Sequence, residues 1–247
     1  MTLCAATSVN VAATIRALQH SLDQVEFGEC LLFADACPPE LDPRIRMVEV
    51  QQFTSGADYS NFMLTRLAEF IRTDHCLVAQ WDGFVIDAAQ WDPNFLAVDY
   101  VGAPWPQFHD GHDVGNGGFS LRSRKLLEAC RDPSFRVSHP EDIAICRINR
   151  EMLEREHGIR FADRETANRF SAERSVPGHA TFGFHGIFNM IRLLGPDRFW
   201  EVYRSLDHKG TAFVDYLPLM RGLGGGAQPL RRRLRLSMDY LAALAKG

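Results

Sequence analysis

Apolar and polar positions alternate in a rhythm that changes several times along the chain. Thr2 to Thr7 is a short apolar run that stops at Ser8-Val9-Asn10, after which Val11, Ile15, Leu18, Leu22 and Val25 recur at helical spacing. That pattern predicts a strand, an Asn10 cap and a helix. Cys30 to Ala34 and Met47 to Gln51 are further strand segments, separated by the turn-forming stretch Asp35 to Pro39. Met63, Leu67, Phe70 and Ile71 mark a second helix, and the apolar run His75 to Ala79 a fourth strand. Strand and helix in alternation predict a mainly parallel sheet covered on both faces.

From Gln80 to Gly118 periodicity fades and turn formers and aromatics take over. Loops of this kind at strand ends are where α/β proteins bind ligands. Helices are then predicted over Leu121 to Cys130, Glu141 to His157 and Phe188 to Leu194, with a short strand at Gly158 to Ala162. The expected organisation is one α/β domain over residues 1–210 and a helical extension over 211–247, the latter containing a glycine-rich hinge at Gly222 to Gly226. In the extension Leu230, Leu234, Met238, Leu241 and Leu244 form an apolar stripe, and residues 211–247 carry a balance of +4. Such a stripe packs on its own domain, on a second subunit in a homodimer, or on anionic lipid as a peripheral membrane contact.

Composition narrows the functional classes. Of the 247 residues 46% are hydrophobic and 23% charged, an ordinary globular balance, and the formal net charge of −4 offers no bulk attraction to nucleic acid. The start, Met1 to Asn10, has neither a basic leader nor a long apolar run, so a cytoplasmic protein is expected. Six cysteines at 4, 30, 37, 76, 130 and 146 lack any C-x-x-C spacing and are expected to be reduced.

Four stretches carry candidate chemistry. Gln80-Trp81-Asp82-Gly83 ends an apolar strand, where a carboxylate reaches a sheet crevice and can meet a hard cation, or simply form a turn. Gly115-Asn116-Gly117-Gly118 lets backbone amides approach a ligand. His139-Pro140-Glu141-Asp142 opens a helix, where acids either offset the helix dipole or accept a proton. Phe182-Gly183-Phe184-His185-Gly186 presents a histidine between glycines, as a ligand or as a core residue.

In this order the stretches resemble the GT-A glycosyltransferases, and especially a bacterial group of GT-A-like domains of unknown function whose pattern includes Asp99-Tyr100-Val101-Gly102-Ala103-Pro104-Trp105. The resemblance covers roughly residues 2 to 195 and implies a GT-A, Rossmann-like sheet. It makes Asp82 the last acid of an Asp-x-Asp element whose first acid is replaced by Gln80, and His185 the histidine that completes a Mn²⁺ or Mg²⁺ site. It assigns Asp142, with Glu141 beside it, to the base of an inverting transfer. Asn116, Gly117 and Gly118 line the sugar or acceptor, and Thr7, Tyr59, Asn61, Gln80 and Trp81 stand near the nucleotide. The implied partners are a UDP- or dTDP-sugar donor and a glycan or lipid-linked acceptor. A sugar nucleotidyltransferase and a catalytically silent nucleotide- or glycan-binding module are the rival readings.

Overall fold

Alternate residues of the first strand face two different cores, which sets the architecture. In the computed structural model, which describes residues 1–38, 40–174 and 178–245, β1 (Thr2–Ala6) is buried along its whole length. Leu3 and Ala5 join one apolar cluster with Ile15 and Leu18, whereas Cys4 and Ala6 join another with Phe62 and Met63. The same division runs through β2 (Glu29–Ala34) and β4 (His75–Val78): Leu32 and Leu77 face the first cluster, Phe33 and Val78 the second. Period-two geometry sends neighbouring side chains to opposite faces, so strands with both faces covered must be apolar throughout. Helix α1 (Val11–Leu22) supplies the cover on one side and α2 (Gly56–Thr65) on the other. Ser55 caps α2 by accepting from the Asp58 amide at 3.1 Å.

The main sheet runs β3 (Arg46–Glu49), β2, β1, β4, β7 (Ser120–Ser123), β6 (Tyr100–Val101). Its first four strands are parallel and β7 is antiparallel to β4. The expected mainly parallel, helix-flanked sheet is therefore present. A second sheet is made of three short strands, β5 (Gly83–Val85), β9 (Gly183–His185) and β8 (Ser171–Ala172), with β5 antiparallel to β9.

Three predicted elements differ. Leu121 to Cys130 is not one helix: residues 120–123 pair with β4, and only α3 (Arg124–Ala129), capped by Ser123, is helical. Gly158 to Ala162 is a connection rather than a strand, touching the sheet through a single bridge from Phe161 to Tyr100. Glu141 to His157 is divided into α4 (Glu141–Ile143), a π-helical stretch Ala144–Ile148 and α5 (Arg150–His157). Asn149 sits at that break, bonding Ala144 O and both backbone groups of Arg136 through its carboxamide. Helix α6 (Arg164–Phe170) begins at Asp163, whose side chain accepts from the Thr166 amide.

The chain divides into two compact units, Met1–His185 and Gly186–Gly247. The second is helical: α7 (Ile187–Ser205), α8 (Tyr216–Gly222) and α9 (Pro229–Leu244). Gly195, at φ 77°, interrupts α7, and Pro196 restarts it. No helix among the described residues is long and apolar enough to cross a membrane. The cysteines carry no disulfide among the described residues; all are buried except Cys37.

Candidate active site

The carboxyl ends of β1 and β4 open at the same sheet edge because the two strands are parallel neighbours. Beyond β4 the chain reverses at once. Gln80 and Gly83 exchange two backbone hydrogen bonds of 3.0 Å, which puts Trp81 and Asp82 at the tip of a two-residue turn. The turn feeds β5, and β5 pairs with β9 in a register that sets Gly83 opposite His185. That register brings the imidazole to the turn: His185 Nε2 lies 3.7 Å from Asp82 Oδ1 and 3.3 Å from Gln80 Oε1. Gln80 Nε2 in turn donates to the Tyr59 hydroxyl at 3.1 Å, and His185 Nδ1 stands 3.2 Å from Glu173 Oε1. Tyr59, Gln80, His185 and Glu173 thus form one hydrogen-bonded chain.

The protonation of His185 follows from these neighbours. Burial opposes the charge, but Asp82 and Glu173, with Asp142 farther off, outweigh it and lift the group to about 9. As an imidazolium it donates on both sides, to Glu173 and to Gln80.

Glycines in the loop serve space more than backbone freedom. The residue of this loop with a left-handed backbone is Asn116, at φ 66°, while Gly117 and Gly118 are not in that region. A Cβ at Gly118 would lie 2.0 Å from His185 Nε2, one at Gly117 2.0 Å from Glu141 Oε1, and one at Gly115 2.1 Å from the Trp105 ring. Asn116 Oδ1 accepts from the Gly118 amide at 3.0 Å, and its buried carboxamide nitrogen has no hydrogen-bond partner among the described residues. Asp99 anchors the flank, taking Ser123 Oγ at 2.7 Å and the Arg160 amide at 2.8 Å.

The two acids that open α4 have parted roles. Asp142 is half-buried, with Oδ2 accepting from the Gly117 amide at 3.2 Å and Oδ1 from the Ile143 amide at 2.8 Å. Burial and the adjacent Glu141 raise its pKa above the usual carboxylate range. Glu141 points elsewhere: its carboxylate takes Arg122 Nη2 at 3.0 Å, in an ion pair whose side chains are 0% and 6% exposed. Arg122 also donates to Gly117 O at 3.3 Å and to Ser120 Oγ at 3.0 Å, so the loop is gripped by both its amide and its carbonyl. The geometry makes Glu141 a counterion and leaves Asp142 alone at the loop.

Thr7 follows β1, half-buried, its amide bonded to Phe33 O, and Trp81 is buried in the turn. Asn61 lies on the exposed side of α2 and is not gathered with the others. Sequence reasoning missed Arg122 and Glu173. Arg122 stood inside a predicted helix, and Glu173 had no motif around it.

Whether these residues suit a divalent cation depends on what else would bind it. No group of three His, Cys, Asp or Glu among the described residues makes a self-sufficient metal site. The Asp82–His185 pair fits a cation completed by substrate oxygens, the usual arrangement when phosphates share the ion with one or two carboxylates. The imidazole must then give up a proton.

The profile of DUF5672, described as a protein of unknown function, matches residues 42–185. The chain belongs to this family. The DUF5672 segment runs from the loop before β3 to the end of β9 and so contains Asp82, Gly115 to Gly118, Asp142 and His185. No curated protein matches in sequence. Among solved structures, galactosyltransferase LgtC bound to donor and acceptor sugar analogues is 15% identical, with 84% of this chain and 97% of that one covered at a TM-score of 0.49. The apo form of the glycosyltransferase GlyE of Streptococcus pneumoniae TIGR4 is 13% identical, with 87% and 62% covered at 0.48.

Proposed function

We propose that the Met1–His185 unit is a glycosyltransferase that uses a nucleoside-diphosphate sugar, a UDP- or dTDP-sugar, and transfers with inversion to a glycan or lipid-linked hydroxyl. The supporting observation is the convergence of four distant segments: Asp82 and His185 within 3.7 Å, Gly118 against the imidazole, and Asp142 on the Gly117 amide.

In this reading the acceptor oxygen attacks the anomeric carbon, the bond from that carbon to the diphosphate breaks, and Asp142 takes the hydroxyl proton. A carboxylate with a raised pKa is better matched to that task near neutral pH than an ordinary one. Asp82 and His185 would hold Mn²⁺ or Mg²⁺, which when bound supplies Lewis-acid neutralisation of the leaving diphosphate. Asn116 offers its spare carboxamide donor, and the bare backbone at Gly117 and Gly118 leaves room for a sugar ring. A silent binding module is the second reading, favoured by Gln80 standing where an acid is expected and already bonded to Tyr59 and His185.

The deciding experiment is a thermal-shift panel of nucleoside diphosphates and nucleotide sugars with and without Mn²⁺, followed by donor hydrolysis. Stabilisation by a nucleotide sugar with slow release of free sugar supports the transferase. Stabilisation without release supports the binder, and no shift with any nucleotide overturns both the transferase and a nucleotide-binding module.

A further inference from the structure

The C-terminal unit differs from the rest of the chain in charge and in surface. Residues 186–247 contain ten Lys and Arg against five Asp and Glu, a balance of +5, whereas residues 1–185 stand at −9. Every large apolar side chain more than half exposed among the described residues belongs to this unit: Val214, Leu217, Leu230, Leu234, Met238, Leu241 and Leu244. The last five are the stripe on α9. Leu236 is the buried residue of that helix, so α9 is seated by one side and presents the leucines on another.

Beside the stripe a cavity of about 750 Å³ opens within the same unit. Its lining includes Arg204, Lys209, Arg231 and Arg235, and the rings of Trp200 and Tyr203, stacked at 5.2 Å. Arg232 is engaged by Asp197 at 2.5 Å and Arg235 by Asp239 at 3.0 Å. Arg204 and Arg231 have no carboxylate within ion-pair distance among the described residues. Leu234 and Met238 line the cavity as well as the stripe, so the basic and the apolar surfaces are continuous.

We infer that this unit docks on anionic phospholipid, the stripe entering the acyl boundary and the cavity receiving a headgroup phosphate between Arg204 and Arg231. A soluble phosphate would leave the exposed leucines unexplained. A second copy brought stripe to stripe would set two cationic surfaces together, each of balance +5. A negatively charged bilayer complements both features, and aromatic rings such as Trp200 sit well at its boundary. The inference holds whatever reaction the first unit performs.

The test is co-sedimentation of the full chain with vesicles of phosphatidylcholine alone and of phosphatidylcholine with phosphatidylglycerol. Binding is expected only to the latter. Each basic residue near an anionic surface is worth roughly fivefold in partitioning, so R204Q/R231Q should bind about 25-fold more weakly. L230S/L241S should lose binding that resists high salt. All four positions are exposed, so unchanged melting temperatures should accompany these losses. Absence of binding to phosphatidylglycerol vesicles overturns the inference, as does equal sedimentation of the variants. Full competition by glycerol phosphate would instead assign the cavity to a small phosphate. A dimer in light scattering that L230S/L241S dissociates, with no vesicle binding, would assign the stripe to a second copy.

Discussion

Removing the Glu141 carboxylate should destabilise the first unit, whatever it does to catalysis. Arg122 has no exposed side-chain surface, and its charge is met by Glu141 at 3.0 Å. With an effective dielectric near 20 the attraction at that distance is about 5.5 kcal/mol. Removing one partner of a buried pair costs about 3–5 kcal/mol, because the remaining charge cannot return to water. For a unit of this size each kcal/mol lowers Tm by about 2–4 °C, so Glu141→Ala should melt roughly 6–20 °C below wild type. Glu141→Gln keeps the shape and one hydrogen bond to Arg122 and should fall between the two. Differential scanning calorimetry of both variants beside Asp142→Asn makes the comparison. Asp142 is half-buried and holds two backbone amides, so its amide variant should lose only about 1 kcal/mol. If Glu141→Gln melts with wild type while turnover collapses, the assignment of Glu141 as a counterion is wrong.

Other outcomes follow from the same geometry. Asp142→Asn should lower turnover by about 10²- to 10⁴-fold while nucleotide affinity is kept, and near-normal turnover would remove it as the base. Gly118→Ala places a methyl group 2.0 Å from His185 Nε2 and should abolish the Asp82–His185 approach, visible as a changed His185 proton resonance; an unshifted resonance would refute the contact. His185 has a folded pKa of about 9, above its unfolded value, so its contribution is full below about 6.5 and lost as pH rises through 9. That contribution is on the order of 3 kcal/mol. Urea midpoints of wild type against His185→Gln should therefore converge between those limits, and a constant gap would contradict the shift.

Much of this architecture was legible in the apolar runs, since strands buried on both faces leave few polar positions. Thr2 to Ala6, Cys30 to Ala34 and His75 to Val78 appear where their runs predict. The misreadings have physical causes. Ser120-Leu121-Arg122-Ser123 hides a central strand because its buried cation is neutralised by Glu141, a partner 19 residues away. Strands of three residues such as β5 and β9 exist only through pairing with distant segments, β5 with β9 and β9 also with β8, so no local propensity announces them. The pairing of Asp82 with His185 was expected through family likeness, whereas Glu173 and Arg122 enter through tertiary contacts that no spacing encodes. The glycine loop was legible from its composition, but the crowding by Trp105, Glu141 and His185 that excludes side chains there was not, because those neighbours come from distant segments.

The β5–β9 register has a consequence for biosynthesis. Gln80 and His185 lie 105 residues apart, and a slip of one position would turn the imidazole to the opposite face of the small sheet. A nascent chain thus lacks the imidazole and the strand that pairs with β5 until Gly183 to His185 emerges from the ribosome. Incomplete products should be unable to engage ligand, a prediction that binding assays on ribosome-stalled intermediates released before and after residue 185 would check.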